Sequence, residues 1–242
     1  MLLQHGAGIP CQQLLHASNE AARPILAQID AAFRHSPTVA NTLHGVRRIH
    51  QGARGRSTSL FPSRKSGGAI PLESKLELAY AVVLERSPAV LRYRTQAVHI
   101  ALPAGQSAFP DVLVELVTGG FELHEVKPSI THLSRAYLDR CELISSVLHP
   151  AQVPFRLVDA TQLPSRKHLE WLLQRYVRGH LQMWTPAQVQ LGAEALTAFQ
   201  PTSLAQAHRH LIEAGFPAQL ADYLAFHRHW HAPEEIELEG AL

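Results

Sequence analysis

Residues 109–128, FPDVLVELVTGGFELHEVKP, place Asp111 at the start of one strand-like run and Glu125 and Lys127 at the end of the next. Charged groups prefer water, so carboxylates gathered at the tips of two apolar strands mark a hard, oxygen-rich site. Such a site suits Mg²⁺, with Mn²⁺ as a substitute, rather than zinc, because no Cys/His set lies beside it. One or two ions held there can lower the pKa of a bound water, polarise phosphorus and stabilise entering and leaving oxygens. Lys127 would stand near the attacking water and offset the charge that builds in the transition state. The chemistry implied is hydrolysis of a phosphodiester. A plain salt bridge between Lys127 and Asp111 is the structural alternative.

Positioning these groups is the work of a hairpin. Strands over 110–117 and 121–127 flank Thr118-Gly119-Gly120, where glycine supplies positive φ at little cost. A three-residue turn pairs Val117 with Phe121, Leu113 with Glu125 and Asp111 with Lys127, and sets Asp111 on the face of Glu125 and Lys127. A two-residue turn would send Asp111 to the opposite face. The odd loop is expected. Upstream, LESKLELAYAVVLER over 72–86 has helical periodicity, with Leu72, Leu76, Tyr80, Val83 and Leu84 on one stripe. Glu73 and Glu77 sit four apart at the stripe's edge, where stacked like charges repel unless a cation or lysine intervenes. This helix is expected to cover the charged face. Between helix and hairpin, AVLRYRTQAVHIAL reads as one bent strand or two short ones.

The chain of 242 residues, 46% apolar and 17% charged, has the composition of a soluble globular protein of one to two domains. Two cysteines exclude a disulfide framework, and no secretory signal or membrane span is read, so an intracellular location is expected. The net charge is only +2, yet residues 31–70 carry Arg34, Arg47, Arg48, Arg54, Arg56, Arg64 and Lys65 with no acidic residue among them. This stretch is rich in Gly, Ser and Arg and reads as an extended arm behind a helix at 17–35, suited to a phosphate backbone. From Ser165 to Pro233 the pattern is helical, compatible with a bundle or a winged helix. His227 and His231 lack a third ligand in sequence reach, and Trp171, Trp184 and Trp230 read as core or interface anchors.

The runs ESKLELAYAVVLERSPAVLRYRTQ, FPDVLVEL and LHEVKPS together resemble the catalytic domain of the TnsA family, the endonuclease subunit of heteromeric cut-and-paste transposases in the PD-(D/E)xK restriction-endonuclease-like superfamily. The resemblance spans about residues 71–160. It implies an α/β fold with an αβββαβ core over 71–163, a basic N-terminal extension over 1–70 and a helical, or winged-helix, C-terminal domain over 164–242. Glu77, Asp111, Glu125 and Lys127 fall on the catalytic positions, and Glu77, Asp111, Glu125 and the Val126 carbonyl on the metal ligands. Glu73 is a supporting residue one turn earlier, and Gln96 matches a glutamine that reaches the site from the neighbouring strand. Some family members carry Gln where this chain has Glu125. The implied activity is nicking of double-stranded DNA at the 5′ ends of a transposon, while an integrase-like transposase subunit works on the 3′ ends under an ATP-dependent regulator. The setting implied is the prokaryotic cytoplasm, at the nucleoid. Arg47, Arg48, Arg54, Arg56, Arg64 and Lys65 would contact DNA. A stand-alone nuclease and a silent DNA-binding scaffold are the competing functions.

Overall fold

The computed structural model describes residues 11–34 and 59–239. Arg47, Arg48, Arg54 and Arg56 therefore lie outside the described residues. The fold is mixed α/β, and none of the described helices is long and apolar enough to cross a membrane. Boundaries after Glu77, Pro88 and Ala160 divide it into two compact units, one holding the sheet and the other residues 78–88 and 161–239.

In the sheet unit, helix α1 (Cys11–Ala32) buries Ala22, Ile25 and Ile29, spaced as one helical stripe. It is fastened further by Gln28, whose amide donates to the His99 carbonyl at 3.0 Å and accepts from the His99 N–H at 2.8 Å. Strands β1 (Ser59–Ser63) and β2 (Gly68–Leu72) form an antiparallel hairpin that buries Phe61, Ile70 and Leu72. The end of the expected extended arm is thus a packed element, with Arg64 and Lys65 in its turn. Helix α2 (Lys75–Arg86) follows, shorter than the periodicity suggested. Leu72 belongs to β2, and the buried positions of α2 include Val82 and not Val83.

The main sheet has the order β3 (Val90–Thr95), β6 (Val112–Leu116), β7 (Phe121–Lys127), β8 (Phe155–Asp159). Its first three strands are antiparallel and β8 runs parallel to β7. A parallel neighbour needs a crossover, which α3 (Arg135–Leu148) supplies between β7 and β8. Short strands β4 (Ile100–Ala101) and β5 (Ser107–Ala108) form a separate pair, so the run after Pro88 becomes two strands.

The hairpin register is Val112↔His124, Leu113↔Leu123, Val114↔Glu122 and Glu115↔Phe121. Leu113 therefore faces Leu123 and not Glu125. The Leu116 N–H also bonds the Gly120 carbonyl at 3.1 Å and the Gly119 N–H the Leu116 carbonyl at 3.0 Å, so the loop proper is 117–119. It has the expected odd length but sits one residue earlier than read, because Gly119 and Gly120, at φ 77° and 103°, take the last loop position and the one after it. Moving an odd loop by one residue slides the register by two, and a slide of two preserves the face of every side chain. The apolar residues closing that face come from α1 and α3, with Ile25, Ile29, Ile144 and Leu148 packed around Leu113 and Leu123. The expectation that the helix of Glu77 covers it is corrected accordingly.

The second unit is all-helical among the described residues, with no strand for a wing. It holds α4 (Arg166–Gly179), α5 (Pro186–Phe199), α6 (Leu204–Glu213), α7 (Gln219–Phe226), α8 (Pro233–Glu239) and most of α2. Ser165, Thr185 and Ser203 cap α4, α5 and α6, each accepting a main-chain N–H three residues on. Leu196, Leu211, Leu220, Leu224 and Trp230 form the core, with Trp171 and Trp184 packed against it. The fully buried Asp222 carboxylate meets Arg175 at 2.8 Å, Arg178 at 3.2 Å and His208 at 3.0 Å. Gly179 lets α4 approach α7 closely, for a Cβ there would lie 2.7 Å from the Tyr223 main chain.

Candidate active site

Asp111 stands just before β6, where the strand leaves the β7 ladder. Its carbonyl accepts from the Gln96 N–H at 2.9 Å, and its Oδ2 accepts from the Val126 N–H at 2.8 Å. Continuing the register past Val112↔His124 would set Val126 opposite Pro110. Proline has no N–H, and the two main-chain groups of a strand residue leave on one edge, so β6 offers the Val126 carbonyl no ladder donor. The carbonyl is thereby left beside the Asp111 carboxylate, available to a cation.

Glu125 and Lys127 alternate onto the same face at the end of β7. The Lys127 ammonium lies 2.7 Å from Glu125 Oε1 and 4.9 Å from the centre of the Tyr137 ring. The Tyr137 hydroxyl donates to that same Oε1 at 2.7 Å. Tyr137 is placed by the helix start, since Ser134 caps α3 by accepting the Tyr137 N–H. The salt bridge that forms joins Lys127 to Glu125, not to Asp111.

Glu77 reaches the site from the first turn of α2. Its Oε1 accepts from the Ser74 hydroxyl at 3.0 Å and its Oε2 from the Glu73 N–H at 2.9 Å, while the Ser74 hydroxyl accepts the Glu77 N–H at 3.1 Å. This is a capping arrangement at the helix N-terminus, and it fixes the carboxylate. Glu73 precedes the helix, so the expected helical stacking of Glu73 on Glu77 does not occur; Glu73 supports Glu77 through its main chain.

Electrostatics tie the three carboxylates together. The Asp111 carboxyl is pushed up to about 7 by burial, then by the charge of Glu125 and, more weakly, that of Glu77; the Val126 N–H and Lys127 oppose the shift. Burial works against the Lys127 charge, but its bond to the Glu125 carboxylate and the neighbouring Tyr137 phenol outweigh it and raise the lysine pKa. Burial and the bond to Glu125 likewise raise the Tyr137 phenol. Mutually repelling carboxylates beside an ammonium fit a divalent cation, which would remove the repulsion. Gln96 adds a second sign: it is 3% exposed, in the left-handed region at φ 46°, and its side-chain oxygen has no hydrogen-bond partner among the described residues. A buried amide oxygen left unpaired, on a residue whose main chain bonds Asp111, is costly without a ligand.

Asp111 and Val126, and Glu125 and Lys127, are therefore joined at the hairpin end, while Glu77 is linked to them only through its charge on the Asp111 carboxyl and Gln96 through its main chain. Tyr137 was not read from the sequence. It lies one helix start beyond the hairpin, where Ser134 caps α3. A second group, His168, Glu235 and Glu239, has ligand atoms within 4.8 Å of one another. Glu235 is already compensated by Arg86 at 2.5 Å and His168 at 3.1 Å, and Glu239 by Arg228 at 2.7 Å, so it fits a cation less well. His227 bonds His180 at 3.1 Å, and His231 is exposed. No family model and no curated protein sequence matches the chain.

Proposed function

We propose that the chain is a metal-dependent DNA endonuclease, the TnsA-like subunit of a heteromeric transposase, hydrolysing phosphodiester bonds at the 5′ ends of a transposon. The observation that carries this is the meeting of Asp111 and Glu125 with Lys127 at the ends of two strands, with Glu77 near enough to act on the Asp111 carboxyl, which burial first and the charges of Glu125 and Glu77 second raise to about 7. The principal elements, α2, β3, β6, β7, α3 and β8, follow the αβββαβ order that the resemblance implies. An integrase-like transposase subunit and an ATP-dependent regulator are the partners on this reading, with Arg64 and Lys65 among the phosphate contacts.

Asp111, Glu125 and the Val126 carbonyl would hold Mg²⁺ or Mn²⁺, with Glu77 beside them. The bound ion would supply Lewis acidity toward phosphate and a water of lowered pKa. The residues themselves divide the remaining work. Tyr137 and Lys127 both engage Oε1 of Glu125, which leaves Oε2 as its ligand atom. Lys127, held protonated, stabilises the negative charge that grows on phosphorus oxygens as the water oxygen bonds to phosphorus and the ester bond breaks. The raised pKa makes it an electrostatic stabiliser rather than a general base.

The test is cleavage of transposon-end DNA by the full chain with its transposase partner and Mg²⁺. Asp111→Ala should stop 5′-strand cutting while complex assembly and 3′-strand cutting continue. Unchanged 5′ cutting by that variant would defeat the proposal.

A further inference from the structure

Next to the carboxylates lies a cavity of about 250 Å³ lined by Phe109, Glu125, Tyr137, Arg140 and Ile144, with Ser107 at its rim. At ~30 Å³ per water it holds roughly eight waters' worth of space, enough for a phosphate with part of a sugar or base. Arg140 follows Tyr137 by three residues on α3, so the two side chains share a helix face. One of its nitrogens donates to the Ser107 carbonyl at 2.8 Å. That bond aims the guanidinium, and its other N–H groups have no carboxylate to neutralise them among the described residues. Phe109 stacks on His99 at 4.8 Å between ring centres, and the chain passes from Phe109 to Asp111 in two residues. The cavity and the carboxylate site thus share a lip, with Glu125 lining the first and belonging to the second.

We infer that this cavity is a subsite for one nucleotide flanking the cut phosphate, in which Arg140 binds the neighbouring phosphate and Phe109 offers an apolar surface to the base or sugar. The inference rests on the endonuclease reading for its place beside the cut. A cationic fork, a hydroxyl and an aromatic ring around a small cavity are the chemistry of nucleotide binding. A carboxylate ligand would leave the aromatic wall unused.

Thymidine 3′,5′-bisphosphate, titrated into the full chain in Ca²⁺ and in EDTA, is the probe, with thymidine and inorganic phosphate as controls. The bisphosphate should bind at least about tenfold more tightly than thymidine, and Arg140→Ala should weaken it about tenfold, the range expected of one charged hydrogen bond. Arg140→Gln keeps a donor for the Ser107 carbonyl and should show the same loss with an unchanged melting temperature. Wild-type affinity in both variants would overturn the subsite and reduce Arg140 to a clamp on β5. Arg140-dependent binding by a chain that cuts no DNA would instead retire the endonuclease reading alone.

Discussion

Replacing Asp111 by Asn separates what this carboxylate costs the fold from what it gives a metal site. Its carboxyl stands at about 7 because burial and the charges of Glu125 and Glu77 outweigh the Val126 N–H and Lys127. A rise from an ordinary value near 3.8 corresponds to roughly 4 kcal/mol, at about 1.36 kcal/mol per factor of ten. An acid whose native pKa exceeds its unfolded one binds more protons in the native state, so stability falls as pH rises from about 4 and levels off above about 7. Glu125 is 17% and Lys127 24% exposed, so solvent screens part of this, and about 2 kcal/mol is a fair remainder at pH 8 without divalent ions. Asn keeps an acceptor for the Val126 N–H and carries no charge. Differential scanning fluorimetry at pH 8 in EDTA should therefore show Asp111→Asn melting about 4–8 °C above the parent, at ~2–4 °C per kcal/mol for a chain of this size. The gain should vanish near pH 4. Mn²⁺ should stabilise the parent and leave the variant unmoved. A variant that melts below the parent in EDTA at pH 8, or that Mn²⁺ stabilises equally, would refute the account of clustered repulsion.

Lys127→Met should reduce cleavage by about two to three orders of magnitude, as loss of a transition-state donor does, while calorimetric Mn²⁺ affinity is kept or increased because a competing cation is gone. Gly179→Ala should lower stability by about 1–3 kcal/mol in denaturant titration, reversing the usual helix gain, because the added methyl meets the Tyr223 main chain rather than a flexible side chain. Asp222→Ala strands Arg175 inside the helical unit and should cost about 3–5 kcal/mol in the same assay.

The site was more legible in the sequence than the elements around it. Asp111, Glu125 and Lys127 sit on one hairpin, so their mutual placement depends only on strand alternation and loop parity, both local properties. Glu77 was legible from its place in a periodic helix, although its capping bonds with Ser74 and Glu73 move the helix start past Glu73. Tyr137 escaped because its partner Glu125 is reached through a loop and a helix N-terminus, whose geometry no periodicity encodes. The β1–β2 hairpin was hidden by composition: 63–68 consists of Ser, Gly, Arg and Lys alone, which read as an arm and instead form the turn and the strand ends beside it. Gln28 clasping His99 across seventy-one residues is a contact that only the folded chain reveals.

The loop at 117–119 carries a consequence for how such a protein can vary. Adding or removing a single residue there would turn Asp111 outward and part it from its companions, whereas a change of two would restore them. Length variation tolerated at this hairpin should accordingly come in steps of two, and in an insertion series activity and melting temperature should rise and fall together, because the slide that turns Asp111 outward also takes Leu113 out of the core.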